Sequence, residues 1–178
     1  LKGHRANGVE PMLERDRGAS ARVLWVEACM LTPNKDSGSL RTFRLLRILT
    51  RMGCKVTFIA ANLDGAEPYR SQLADEGVEV IHSPFSSSVR AFIQSRAREF
   101  DVITLCRHYI AIEYVDIARA SNPKAQIWFD TIDLHYLRSR RQFELDGQVS
   151  TRDRADLAYK EEMAVAVSYT HLRAHETS

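Results

Sequence analysis

Several features that would place a chain in a special class are missing or scarce here. There are only three cysteines in 178 residues, Cys29, Cys54 and Cys106. Their number is odd, no C-x-x-C spacing occurs, and each lies in or beside an apolar segment, which predicts reduced, buried thiols in a cytosolic protein. No apolar run approaches the ~20 residues that span a bilayer. The start, Leu1-Lys2-Gly3-His4-Arg5, is polar and unlike a signal peptide. Excess charge is lacking too: 25 basic residues against 23 acidic ones leave a formal +2, and no basic run is interleaved with aromatics, so no nucleic-acid partner is expected. Neither G-x-G-x-x-G nor G-x-x-x-x-G-K-[ST] occurs, so a dinucleotide fingerprint and a P-loop both fail at the first test. The chain opens on Leu1 in place of Met, and we expect it to start inside a longer reading frame.

What is present describes an ordinary globular domain. Hydrophobic residues make up 44% and charged residues 27%, well away from the composition of disordered chains. A chain this long suits one domain and buries about 70% of its unfolded surface, enough for a core without staples. Residues 1–21 are polar and arginine-rich with no apolar period, and are expected to be a linker or the end of an upstream segment.

From Arg22 onward, apolar runs and helical stripes alternate. Arg22 to Ala28 reads as a buried strand and Cys29 to Ser39 as a loop. Leu40, Phe43, Leu46 and Leu49 then mark a helix closed by Gly53. The cycle repeats with a strand at 55–61, a helix at 67–76 closed by Gly77, and a strand at 78–81. A helix at 89–100, a strand at 101–105, a helix at 110–120 stopped before Pro123, and a strand at 126–129 complete it. Strands separated by helices pair in parallel, because the right-handed crossover needs the helix. The expected fold is therefore an α/β, Rossmann-like open parallel sheet with ligands at the carboxyl ends of its strands. The charged stretch 137–163 reads as one or two helices, and Ala164-Val165-Ala166 as the start of a sixth strand.

The loops at those strand ends carry the titratable groups. After the first strand, Thr32 to Arg41 runs through Gly38 and Ser39 into a helix, whose N-terminal amides and dipole suit an anion. Equally, Ser37 or Ser39 would serve as a helix N-cap and Gly38 as a turn. Cys106-Arg107-His108-Tyr109 is expected as the loop after the fourth strand. After the fifth come Asp130, Asp133, His135 and Arg138 within nine positions. That density suits general-base chemistry by Asp133 or His135 near neutral pH, although Asp130 would also cap a turn and Arg138 would also pair with an acid. His82 is expected to be structural.

At these residues a family likeness enters. Residues 22–166 resemble the N-terminal domain of GT-B glycosyltransferases of the kind that assembles bacterial surface polysaccharides. The likeness rests on Pro33 to Arg41, on Phe100 to Arg107, and on Phe129 to His135, with Arg154-Ala155-Asp156 as a further point. It implies one half of a two-domain GT-B architecture. In that reading Gly38, Ser39, Arg41, Arg107, Asp130 and Arg138 form a substrate- and phosphate-binding set, and Asp133 and His135 face the reacting sugar as the catalytic pair. It implies a nucleotide-sugar donor as substrate, with no cofactor and no metal. The acceptor would be a glycan or a lipid-linked glycan, and a lipid-linked one would bring a cytoplasmic protein to the inner face of the membrane.

The donor-binding C-terminal domain, with the Glu-x7-Glu pattern of many retaining members, is not in this sequence. The chain alone is accordingly expected to be inactive, to bind nucleotide-sugar weakly, and to self-associate through the face the missing half would cover. Residues 167–177, VSYTHLRAHET, resemble a translated sequencing-library adapter, so residues 167–178 are expected to be a non-native tail. His171 and His175, four apart and superficially metal-like, fall within it. Two other readings are weighed. One is a non-catalytic anion- or partner-binding α/β module such as a receiver domain, which would want clustered acids after the first strand and a lysine after the fifth; Glu27 is the only acid at the end of the first strand, Asp36 lies far along its loop and no lysine follows the fifth strand, which disfavours it. The other is a sugar-nucleotide epimerase fragment.

Overall fold

A computed structural model of the chain describes residues 18–132 and 135–170, without the side chains of residues 135 and 166–170. Most of the expected linker, Asp133, the side chain of His135, and the tail beyond residue 170 with His171 and His175 lie outside the described residues.

The strands are β1 (Arg22–Glu27), β2 (Lys55–Ala60), β3 (Glu79–Ile81), β4 (Val102–Cys106) and β5 (Gln126–Asp130). They form one all-parallel sheet in the order β3-β2-β1-β4-β5. The helices between them are α1 (Ser37–Arg51), α2 (Tyr69–Asp75), α3 (Val89–Arg96) and α4 (His108–Ser121), and α5 (His135–Asp146) and α6 (Val149–Thr170) follow. The protein is thus an α/β, Rossmann-like fold with an open sheet.

The central position of β1 follows from its sequence. Leu24 and Val26 pack into one core with Ile103, Leu105, Phe92 and Ile93, while Val23 and Trp25 pack into another with Val56, Phe58 and Leu46. Alternate residues of one strand therefore bury on opposite faces, as a strand covered on both sides must. At about 1.5–3 kcal/mol for each large apolar side chain fully buried, the two cores together outweigh any local preference in this region. β5 lies at the sheet edge, and there the pattern breaks: Ile127 and Phe129 join the first core, whereas Trp128 is 49% exposed.

Caps set the helix ends. Met52 is the C-cap of α1, and Gly53 follows with φ +83°, the left-handed position that favours glycine. Its carbonyl accepts from the Ser20 amide, and Lys55 N–H donates to the Ala21 carbonyl, so residues 20–21 are already tied to the α1–β2 turn. Buried Asn122 ends α4, its Nδ2 donating to the carbonyls of Ala97 and Phe100, both at 2.9 Å. No helix among the described residues is long and apolar enough to cross a membrane.

Four expectations are corrected. Ala164 to Ala166 is not a strand: it continues α6, and Val165 there is buried in the first core. Cys106-Arg107-His108-Tyr109 is not a loop, because Cys106 still pairs with Asp130 in the sheet and α4 begins at His108. The 89–100 helix stops at Arg96 and tightens into a 3-10 turn over Ala97–Glu99 before the chain enters β4. All three cysteines are free, but only Cys106 is buried, and Cys29 is exposed.

Candidate functional site

In the order β3-β2-β1-β4-β5 the chain leaves β1 toward β2 and leaves β4 toward β5, in opposite directions. The crevice beyond the carboxyl ends of β1 and β4 is the topological switch point of the sheet. Glu27 closes β1 and is only 2% exposed. Its Oε1 accepts from Arg107 Nε at 3.0 Å and from the Ala28 amide at 2.9 Å. A carboxylate buried that deeply requires such partners.

Arg107 has φ +73° and ψ 145°, a conformation costing a non-glycine residue on the order of 1–3 kcal/mol. Two anchors hold it there: the Glu27 contact, and its backbone N–H donating to the Asp130 carbonyl at 2.8 Å. Burial works against the Arg107 charge, yet the Glu27 hydrogen bond and charge raise its pKa above the ordinary arginine value. Only Nε is used, so both Nη groups are unengaged among the described residues. A charged donor with spare N–H groups, fixed at a switch point, suits an incoming anionic oxygen.

The second part of the rim joins the start of α1 to the end of β5. Asp36, in extended conformation, is the N-cap of α1, where the sequence pointed to Ser37 or Ser39. Its Oδ1 accepts from the Ser39 amide at 2.7 Å and its Oδ2 from Thr32 Oγ1 at 3.0 Å. Slight burial pushes the Asp36 pKa up, but those hydrogen bonds prevail and hold it below the usual carboxylate value. The Ser39 amide thereby has a carboxylate already on it.

A Cβ at Gly38 would stand 3.3 Å from Asp36 Oδ1 and 3.3 Å from Ile132 Cγ2. Gly38 thus lets the helix start approach the loop after β5. Nearby, Arg41 Nη1 meets Asp130 Oδ2 at 2.7 Å, while Asp130 Oδ1 accepts from the Ile132 amide at 3.1 Å and shapes the turn after β5. The Asp130 hydrogen bond raises the Arg41 pKa, with burial opposing it.

The structure therefore brings Gly38, Ser39, Arg41, Arg107 and Asp130 to one rim. His135 opens α5 directly after the β5 loop, and Arg138 is exposed on that helix one turn along. Sequence reasoning noted Glu27 only as the lone acid ending the first strand and gave it no site role, although the signal was there: an acid ending a run of buried apolar residues needs a cation. Burial and then the Glu27 charge raise the Cys106 thiol pKa well above its ordinary value, which works against a thiolate there; the Cys29 thiol, on an exposed residue, is raised as well, by partial desolvation and then by the Glu27 charge. Among the described residues no group of three or more His, Cys, Asp or Glu side chains could hold a metal ion. Comparison with protein-family profiles, with the curated proteins and with the solved structures finds no match to the chain.

Proposed function

We propose that this chain is the acceptor-side, N-terminal half of a GT-B glycosyltransferase that moves a sugar from a nucleotide-sugar to a glycan or lipid-linked acceptor. One observation carries the reading: the α1 start and the β5 end, far apart in sequence, meet at the switch point through Arg41 and Asp130 and through Gly38 and Ile132. Glycosyl transfer develops negative charge on the leaving diphosphate, and a prefixed cation lowers that barrier without reorganising. Arg107 supplies it here. By the family likeness Asp133 or His135 faces the reacting sugar, and the density of titratable groups after β5 suits one of them to take the proton from the acceptor hydroxyl. The donor substrate is held mainly by a second domain, so this chain alone turns nothing over.

The strand order also weighs against the receiver-type alternative, whose doubly wound sheet runs 2-1-3-4-5. An epimerase would bring a dinucleotide fingerprint that this sequence lacks.

The test is an amide-resonance titration of the chain with UDP-glucose, GDP-mannose, and neutral and acidic oligosaccharides. The expected result is a shift of Gly38, Arg41 and Asp130 by saccharide, with weak response to the nucleotide-sugars and no turnover. If neither class of ligand moves these resonances at millimolar concentration, the proposal is wrong.

A further inference from the structure

Away from the sheet, α5 and α6 line a half-open groove of about 530 Å³, within the ~300–1,000 Å³ range of small-ligand sites. Its two walls are written at helical spacing. On α6, Arg152, Ala155, Asp156 and Tyr159 fall at i, i+3, i+4 and i+7, and on α5, Tyr136 and Arg140 fall one turn apart. Ala155 is a small, buried residue on the α6 wall, and Phe143 completes the α5 wall one turn beyond Arg140. Tyr136 and Tyr159 meet nearly edge to face, centroids 5.2 Å apart at 71°. In that geometry the rings lock as an angled wall and do not stack the groove shut.

The polar groups select a ligand class. Among the described residues, the ion pairs of Arg140 and Arg152 are with Glu144 and Asp153 of their own helices, each at 3.7 Å and exposed. Such pairs contribute little, which leaves two guanidiniums whose fork geometry matches a carboxylate. Asp156 beside them accepts hydrogen bonds from hydroxyls and disfavours a doubly charged phosphate more than a singly charged carboxylate, while the tyrosine hydroxyls both donate and accept. Aromatic walls, mixed donors and acceptors, and paired arginines describe a polyhydroxylated ring bearing a carboxylate.

We propose that the α5/α6 groove binds an acidic sugar residue of uronic-acid type. Tyr136, on the α5 wall of the groove, is the second residue of that helix. The inference rests on the transferase reading only in calling the glycan that carries this sugar the acceptor.

The experiment titrates the full chain with three probes: a tetrasaccharide containing alternating glucuronate, the same compound with its carboxyl groups reduced, and uridine monophosphate. Tyrosine-ring and amide resonances report the groove, and Gly38 and Arg41 report the rim. The glucuronate probe should shift Tyr136 and Tyr159. Carboxyl reduction should weaken binding about tenfold or more, the scale of a lost charge-assisted hydrogen bond. Arg140→Gln and Arg152→Gln are exposed changes that leave the fold intact, as a melting curve verifies, and each should weaken the acidic probe about tenfold while leaving the reduced probe unchanged. Equal binding of acidic and reduced probes, preference for uridine monophosphate, or indifference to both substitutions overturns the inference. A groove that responds beside a silent rim supports it while the transferase reading fails; a responding rim beside a silent groove does the reverse.

Discussion

Arg41 and Asp130 stand 89 positions apart in the chain, and their side chains meet at 2.7 Å across the rim of the sheet. The Arg41 side chain is 49% exposed and that of Asp130 15%, so the two ends of the pair do unequal work. Removing Arg41 loses a partly screened ion pair, and Arg41→Gln should cost below about 1 kcal/mol. Asp130→Ala also strips the acceptor from the Ile132 amide and should cost about 1–3 kcal/mol. Urea denaturation of the two variants checks the order. Equal losses would mean that Asp130 does not hold the turn.

A larger effect is expected at Glu27. Glu27→Ala leaves the half-buried Arg107 guanidinium without its carboxylate while that residue keeps an unfavourable φ. The expected loss is about 3–5 kcal/mol, the scale for breaking a buried pair from one side. Arg107→Ala, which strands Glu27, should fall in the same range, and the double variant should cost less than the two singles summed. Additive losses in a double-mutant cycle would show that the two residues are not coupled.

Acid should destabilise the protein in a residue-specific way. Burial raises the Glu79 pKa, but the hydrogen bond from Thr57 and the Arg96 charge outweigh it and hold it below its ordinary value. Asp36 and Asp146 are also lowered, each by hydrogen bonds it accepts. For a carboxylate lowered in the folded state, the unfolded chain binds the proton more readily. The stabilisation is therefore complete above the unfolded value and is lost as pH falls through the folded one. Stability measured by urea titration should decline from about pH 5 downward, and Glu79→Gln should flatten that decline. An unchanged acid limb in the variant would show that Glu79 is not linked to folding.

Glycine positions give a fourth check. Gly53→Ala puts a Cβ on a residue at φ +83° and 3.0 Å from Ser20 Oγ, and should cost about 1–2 kcal/mol. Gly38→Val, where φ is ordinary, should act through space alone, pressing on Ile132 and on the Asp36 carboxylate, at about 1–3 kcal/mol. Thermal melts distinguish the two by a second change: trimming Ile132 to alanine should recover part of the loss at Gly38→Val and none at Gly53→Ala.

Much of the fold was legible because its signals are local. Val23 to Val26 reads as a strand buried on both faces, and Gly53 and Gly77, both at φ +83°, close helices where their spacing says they should. The misreadings arose where local signals conflict with distant ones. Ala164 to Ala166 is apolar and short enough for a strand, yet Val165 packs into the first core as part of a helix. The Arg107 segment looks like a loop because nothing within it explains a helix starting at His108. That explanation lies in Glu27 and in the Asp130 carbonyl, which pin Arg107 from two other strands.

By itself, then, the sequence determined the alternation of strands and helices, hence parallel pairing, since periodicity and glycine stops act within a few residues of one another. The strand order, the meeting of the α1 start with the β5 end, and the Glu27–Arg107 contact were decided only by tertiary structure. Each depends on which apolar faces find each other across long stretches of chain, and a one-dimensional pattern does not contain that distance.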